Sequence, residues 1–474
     1  MGLDRRLDAP CPIVARGVRR APRPSSSEVF VQGTCARQPV DAGRRAVAAN
    51  LRQVAQDQRG RNGKAQSLIA ATLADYLLPV RASIAYAPAL VIPGLASLAL
   101  YPLLTRAMSP DQLGTYALLS GLLAASPIVC SYWLEAAIVR YAFEAGAGLG
   151  PPALRRGTIL AIGGAALLTF FAALLTTGDV GVAAISASMS AVIVQFSVRV
   201  AQLRARGDFT RYGALLSLRS VAGLPLAVFG GLSAGPAGAL VGQHISQLAL
   251  SPFVRTKAEA RPAGRTISLG DAFKYGLPVS LMNAGAIILS VGDRYIIRMS
   301  QPLAEVAVYV TAYMVLDQAF RLIPAAASAG IAPSVFNAWS RGQRNQAIAE
   351  IFRTLGLVIA GELLLLMVAV LFTEKWTALL GPDYVGARLL VVPLGLGLLM
   401  HAANQPISLV YLAQEQGRTL ATNFGIASLA NILINLAVVP IFGIIGAAWT
   451  TTATYGLLLL LNSARLPLRA VTGS

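Results

Sequence analysis

From about Ser83 to Leu466 the chain is a succession of apolar runs separated by short polar or basic turns. Each run is close to the roughly twenty residues that a helix needs to cross the hydrocarbon of a bilayer. Backbone N–H and C=O groups in hydrocarbon must be satisfied internally, so such runs admit only helices or a closed barrel. A barrel would alternate over segments of about ten residues, and these runs do not alternate. Only 13% of the 474 residues are charged and 55% are hydrophobic, against about a quarter charged in a soluble domain. The expected fold is therefore all-α and polytopic. Twelve spans are predicted, at about 82–104, 115–138, 157–175, 180–200, 212–229, 237–254, 274–300, 306–335, 354–372, 387–412, 421–439 and 444–461. Thr105 to Tyr116 reads as a tight polar turn, and Pro324 and Pro333 are expected to break or bend the eighth span.

The formal charge of +18 is a topology signal. It resides in the first sixty-odd residues and in the loops after even-numbered spans, among them Arg155 and Arg156, Arg204 to Arg211, Arg255 to Arg265, and Arg341 to Arg353. Loops after odd-numbered spans hold little: Arg106, Arg298 and Lys375. The positive-inside rule then puts both termini and the central linker in the cytoplasm, and an even span count independently puts both termini on one side. The expected organisation is a basic, disordered cytoplasmic tail over 1–66, a six-helix lobe over 82–254, a linker over 255–273, a second six-helix lobe over 274–466 and a short tail over 467–474. The first tail has no apolar stretch before a cleavage site, so it does not read as a signal peptide. Its arginines suit contact with anionic lipid.

Other classes fit poorly. Nucleic-acid binding would need a soluble basic domain. Cys11, Cys35 and Cys130 form no pairing pattern, and His244 and His401 stand far apart, so no metal site is expected. Every external connection is short, no nucleophile–base set is visible, and no enzyme is expected.

The seventh run, KYGLPVSLMNAGAIILSVGDRYIIRMS from Lys274 to Ser300, carries Asp293 and Arg294 deep in an apolar segment. Such charges cost several kcal/mol in hydrocarbon unless they are paired or face water, so they imply a bundle with a polar interior. Glu135, Arg219 and Glu362 lie in other spans. Asp317 and Arg321 are four apart, as are Arg140 and Glu144, and each pair shares a helix face. Asn431 and Asn435 do likewise. An internal repeat is visible: YPLLTRAMSPDQLGTYALL from Tyr101 and RYIIRMSQPLAEVAVYVTAY from Arg294 both place a basic residue, Met-Ser and Pro before a Tyr, Tyr116 or Tyr309. Two repeats of six helices are parallel, related by an axis along the membrane normal, with a cavity between them.

The turn MSPDQLGTY, the segments GLPVSL and VGDRYII, and the ending NILINLAVVPIFGIIGAAWTTTATY resemble prokaryotic polysaccharide exporters, the Wzx-type flippases for lipid-linked oligosaccharides. These share a superfamily with the multidrug and toxic-compound extruders and the lipid II flippases. The resemblance covers about Ala82 to Leu466. It implies an undecaprenyl-diphosphate-linked sugar unit as cargo, moved to the periplasmic leaflet by alternating access of two lobes. It further implies no cofactor, coupling to a proton or sodium gradient, and membrane lipids, a polysaccharide polymerase and glycosyltransferases as partners. The Asp-Arg pair of the family's seventh span matches Asp293 and Arg294. Lipid II flippases resemble this chain less, since they usually carry fourteen spans.

Flipping breaks no covalent bond, and its barrier is a polar headgroup crossing hydrocarbon. Arginine's planar fork suits phosphate oxygens, so Arg294, Arg321, Arg219 and Arg140 are the candidate diphosphate contacts. Asp293, Glu135, Asp317 and Glu362 are the candidate ion-coupling or gating acids. Asn404, Gln405, Asn431 and Asn435 are the candidate sugar-facing wall. For each, ordinary helix–helix pairing is the competing role. The alternatives for the whole chain are a multidrug-extruder-like or lipid II-like transporter and a non-transporting scaffold of a polysaccharide assembly complex.

Overall fold

The computed structural model describes residues 91–142, 148–254 and 266–464, all within one compact unit, Ala74–Ser474. The tails at 1–66 and 467–474, the start of the first span, Glu144 and most of the central linker lie outside the described residues. Helix α1 is described over Val91–Ala107. Then follow α2 (Pro110–Cys130), α3 (Tyr132–Ala142), α4 (Pro151–Thr177), α5 (Val180–Ala205) and α6 (Phe209–Leu250). The second half holds α7 (Leu269–Ser300), α8 (Leu303–Ser340), α9 (Arg344–Leu371), the short α10 (Thr373–Ala378), α11 (Val391–Ala413) and α12 (Gly417–Ser463). Two-residue strands β1 (Gly148–Leu149) and β2 (Thr266–Ile267) pair in parallel and tie the segment before α4 to the segment before α7.

Among the described residues, nine helices are long and apolar enough to cross a membrane. Two of them, α6 and α12, are each a pair of spans folded back at a glycine. In α6 the reversal is at Ala234–Gly235, where Gly235 has φ 60° and ψ −143°. Gly443 reverses α12 with φ 59° and ψ −144°. A side chain is strained in that left-handed region, so glycine stands at both turns. The α6 arms then run antiparallel: Ser246 Oγ donates to the Arg219 carbonyl, and a Cβ on Gly242 would lie 2.0 Å from the Leu226 carbonyl oxygen. In α12, Asn423 meets Asn462 and Asn431 meets Thr454. With α1, these two hairpins account for the twelve predicted spans.

Some boundaries differ from expectation for local reasons. The first turn shrinks to Met108–Ser109, because Ser109 and Gln112 form a reciprocal capping box and Pro110 starts α2. The second span is broken at Ser131 into α2 and α3. Ser268 caps α7 by accepting from the Asp271 N–H, so α7 begins at Leu269 rather than Lys274. Helix α8 continues through Pro324 and Pro333 without a non-helical residue, so neither proline breaks it. The outer faces of α4 and α9 carry large exposed apolar side chains, such as Leu175 (89%) and Leu357 (73%). Two helices so clad belong against lipid tails.

Helices α2 and α3 of the first half pack against α7 and α8 of the second. This seam is close because glycines line it. A Cβ on Gly114 would sit 2.2 Å from the Leu303 carbonyl oxygen, and one on Gly276 2.0 Å from that of Trp133. At the end carrying the α1–α2 and α7–α8 turns, one apolar cluster joins both halves, from Leu113 and Tyr116 to Val306 and Tyr309. At the other end the apolar packing divides. One cluster around Trp133 and Ala272 holds the α3–α7 side, and others, around Phe196 and around Val335, stay within one half.

Gly276→Ala should therefore push α7 off α3 and destabilise the protein by about 1–3 kcal/mol, the usual cost of overpacking. Gly163→Ala, on α4 with open space around its Cβ position, should be neutral or slightly stabilising, since alanine is the better helix former. Thermal unfolding of the two purified variants in detergent checks the difference.

Candidate functional site

Between the halves lies a cavity of about 490 Å³, lined from α1, α2, α5 and α6 on one wall and from α7 and α8 on the other. Three guanidinium groups reach it: Arg219 from α6, Arg294 from α7 and Arg321 from α8. Asp317 is the one acid among its lining residues.

Arg294 and Asp293 are adjacent, and neighbouring helix positions point about 100° apart. Arg294 turns to the seam and cavity. Its Nη1 donates to the Ala117 carbonyl on α2 at 3.3 Å, and its Nη2 lies 3.2 Å from the Met314 sulfur. Tyr295 beside it donates to the Leu118 carbonyl at 2.8 Å. These approaches need Gly121, where a Cβ would stand 2.7 Å from Val291 and 3.0 Å from the Tyr295 hydroxyl. No ion pair of Arg294 is found among the described residues, and thioether sulfur is a weak acceptor.

Asp293 turns the other way, into the interior of the second half. It accepts from Tyr309 (2.6 Å), Thr451 (2.6 Å) and Asn435 (2.9 Å). Asn435 also donates to the Asn431 Oδ1, and the Asn435 Oδ1 is buried without a partner. All of Asp293's hydrogen-bond partners are neutral. The corresponding place in the first half holds only a neutral pair, Tyr116 donating to Gln243 at 2.5 Å.

Arg321 pairs with Asp317 at 2.6 Å along one face of α8, as the four-residue spacing predicts. Tyr309 and Tyr313 continue that face, and Tyr313 meets the Tyr455 hydroxyl at 3.1 Å. Across the cavity, the Arg219 guanidinium makes no hydrogen bond among the described residues, and its nearest partner is the Phe196 ring at 6.0 Å. Beside it the Gln247 amide meets His244 Nδ1 at 3.0 Å, and the Gln247 Oε1 has no partner.

Several expected residues stand elsewhere. Arg140 is exposed near the end of α3 and does not line the cavity. Glu135 lies on α3 outside the cavity lining and accepts from Ser131 at 2.7 Å. Glu362 is fully buried on α9, and neither carboxylate oxygen has a hydrogen-bond partner. The expected sugar-facing wall is not a wall of this cavity. Asn431 and Asn435 are sealed around Asp293, and Asn404 accepts from Asn462 at 2.7 Å in a buried chain that continues to Asn423. Gln405 faces a separate small recess. Amides at helical spacing pair across the hairpin, because an unpaired amide inside the bundle is costly. The polar wall that does line the cavity, Gln243, His244 and Gln247 with Ser197 and Ser220, was missed. Its one sequence signal is GQHISQ, a polar cluster inside the sixth span.

No family model matches the chain, and no curated protein sequence matches it. Solved structures do. The lipid II flippase MurJ in its inward closed conformation superposes with a TM-score of 0.64 at 14% identity, over 82% of this chain and 89% of that one. An inward-facing multidrug resistance MATE family transporter of the MOP superfamily gives 0.56 at 17% identity, over 84% and 96%. An outward-facing one gives 0.51 at 14%, over 82% and 95%. The chain shares the two-lobe helical fold of these transporters.

Asn404→Ala should leave the Asn462 amide unpaired and cost about 1–3 kcal/mol of stability. Ser197→Ala, at a half-buried position on the cavity wall, removes no hydrogen bond seen among the described residues and should leave the melting temperature nearly unchanged. Melting curves of the two variants separate the buried amide chain from the cavity wall.

Proposed function

We propose that the protein is a flippase that carries a lipid-linked, undecaprenyl-diphosphate-borne oligosaccharide across the bacterial inner membrane by alternating access. The observation that carries this reading is a cavity between two lobes that three arginines reach, with one carboxylate among them. A cavity so charged favours an anion over a drug-like cation. Arg294 and Arg321 on one wall and Arg219 on the other offer forks to a diphosphate, while the amides, His244 and serines meet sugar hydroxyls. One long bond to a carbonyl, at 3.3 Å, and a weak thioether acceptor leave Arg294 ready to exchange them for phosphate oxygens. A lipid II-like cargo has the same anionic, lipid-linked chemistry, and the MurJ likeness is compatible with it.

Loop charge supports a cytoplasmic placement of both termini and of the end at which the packing divides, so the cavity is read as accessible to the cytoplasmic leaflet. Asp293 is proposed as the coupling acid. An oxygen-rich cluster of carboxylate, hydroxyl and amide groups with no cationic side chain bonded to it suits a proton or a hard cation such as sodium. A polysaccharide polymerase and glycosyltransferases are the proposed partners upstream and downstream.

Arg294→Ala should lower export by about 10- to 100-fold, the equivalent of about one charged hydrogen bond, with membrane abundance retained. Arg294→Lys, which keeps the charge but loses the fork, should fall between. The readouts are accumulation of the lipid-linked intermediate in the cytoplasmic leaflet and the amount of inserted protein. Normal export by a stably inserted Arg294→Ala protein would remove the contact, and a parallel fall in abundance and export would make Arg294 structural.

A further inference from the structure

Behind the Asp317–Arg321 pair is a recess of about 20 Å³, lined by Asp317, Arg321, His401 and Gln405 with apolar neighbours. That is room for about one water, which needs ~10–15 Å³ and two or more polar partners. The His401 Nδ1 is buried there without a hydrogen-bond partner, and its ring lies against Tyr455 of α12 at 4.7 Å. Asp317 lines this recess and the central cavity at once, so it stands between the two spaces. Among the described residues its one ionic partner is Arg321, whose side chain is 58% exposed against 8% for Asp317. Asp317 and Arg321 are the charged groups in the recess lining, and α9 contributes none of that lining.

We infer that His401 and Asp317 form a proton-binding site that is loaded when an anion occupies the central cavity. This rests on the proposed cargo being anionic. A phosphate that engages Arg321 draws its charge away from Asp317 and places a second negative charge beside the carboxylate. Both effects leave the Asp317 carboxylate, which also accepts from the neutral Gln318 amide at 3.3 Å, without a counter-charge. The relief within reach is a proton on His401 Nδ1, the unpartnered atom of the recess, directly or through one water, where the imidazolium replaces Arg321 as counter-charge. Cargo binding and proton uptake become thermodynamically linked, so each strengthens the other. The site is separate from Asp293, which is enclosed by Tyr309, Thr451 and Asn435.

The test measures proton uptake on ligand binding by the purified full-length protein in weakly buffered detergent solution with a pH-indicator dye. The probe is undecaprenyl diphosphate N-acetylglucosamine, whose diphosphate diester does not itself titrate near neutral pH. Wild type should take up close to one proton per lipid bound. His401→Gln, with His401→Asn as a second variant, should bind the lipid with the uptake lost. Binding without uptake in the wild type, or undiminished uptake in the His401 variants, would each overturn the inference while leaving the functional reading in place. Failure of the lipid to bind wild type would overturn both.

Discussion

Two opposite charges sit side by side in the middle of a membrane-spanning helix, and the surrounding structure answers that constraint. Asp293 and Arg294 cannot neutralise one another, because consecutive helical side chains diverge. Each must find its own partners in a medium where an unpaired charge costs several kcal/mol. Asp293 finds hydroxyl and amide donors from α8 and both arms of α12. Arg294 finds a carbonyl on α2 in the opposite half and the space between the halves. One dipeptide thus points into the interior of one half and into the cavity, and α7 lies between the two.

The frame that holds α7 is built twice. Each half has a tyrosine early on its second helix, bonded to a polar residue on the return arm of a hairpin: Tyr116 with Gln243, and Tyr309 with Thr451. Each hairpin reverses at a glycine of nearly identical dihedral angles, Gly235 and Gly443. The halves differ in what the frame encloses. The first holds a neutral Tyr–Gln pair, and the second adds a carboxylate. Glycines also set how closely the halves meet, because Gly114 and Gly276 let backbones approach where a methyl group would collide, and Gly121 leaves room for the Val291 and Tyr295 side chains.

The sequence made the spans and their pairing into two halves legible, because a run of apolar residues long enough for hydrocarbon has few other uses and the MSP and MSQP turns repeat. Arg219, Arg294 and Arg321 were legible as cavity residues for the same reason: a guanidinium cannot face lipid tails without penalty. Which face an uncharged amide takes was not legible. Asn404, Asn431 and Asn435 looked like cavity residues, yet their neighbours across the α12 hairpin, Asn462 and Thr454, satisfy them inside the half. Gln243, His244 and Gln247 were passed over, although they face the cavity, because nothing in a single strand of sequence tells a lining amide from a packed one. Helix ends shifted where caps such as Ser109 and Ser268 overrode hydropathy.

A transporter of lipid-linked anions needs cationic forks that are held loosely enough to exchange partners. Arg294 on a carbonyl and a thioether, Arg219 with no hydrogen-bond partner among the described residues, and a half-exposed Arg321 meet that need. Competition binding to the purified protein in lipid nanodiscs tests this most directly, with undecaprenyl diphosphate N-acetylglucosamine set against undecaprenol and against a lipophilic cation. The account predicts that the diphosphate lipid binds at least about tenfold more tightly than either, a difference of ~1.4 kcal/mol, and that raising the salt concentration narrows the gap. Equal binding of undecaprenol, or a preference for the cation, would contradict it.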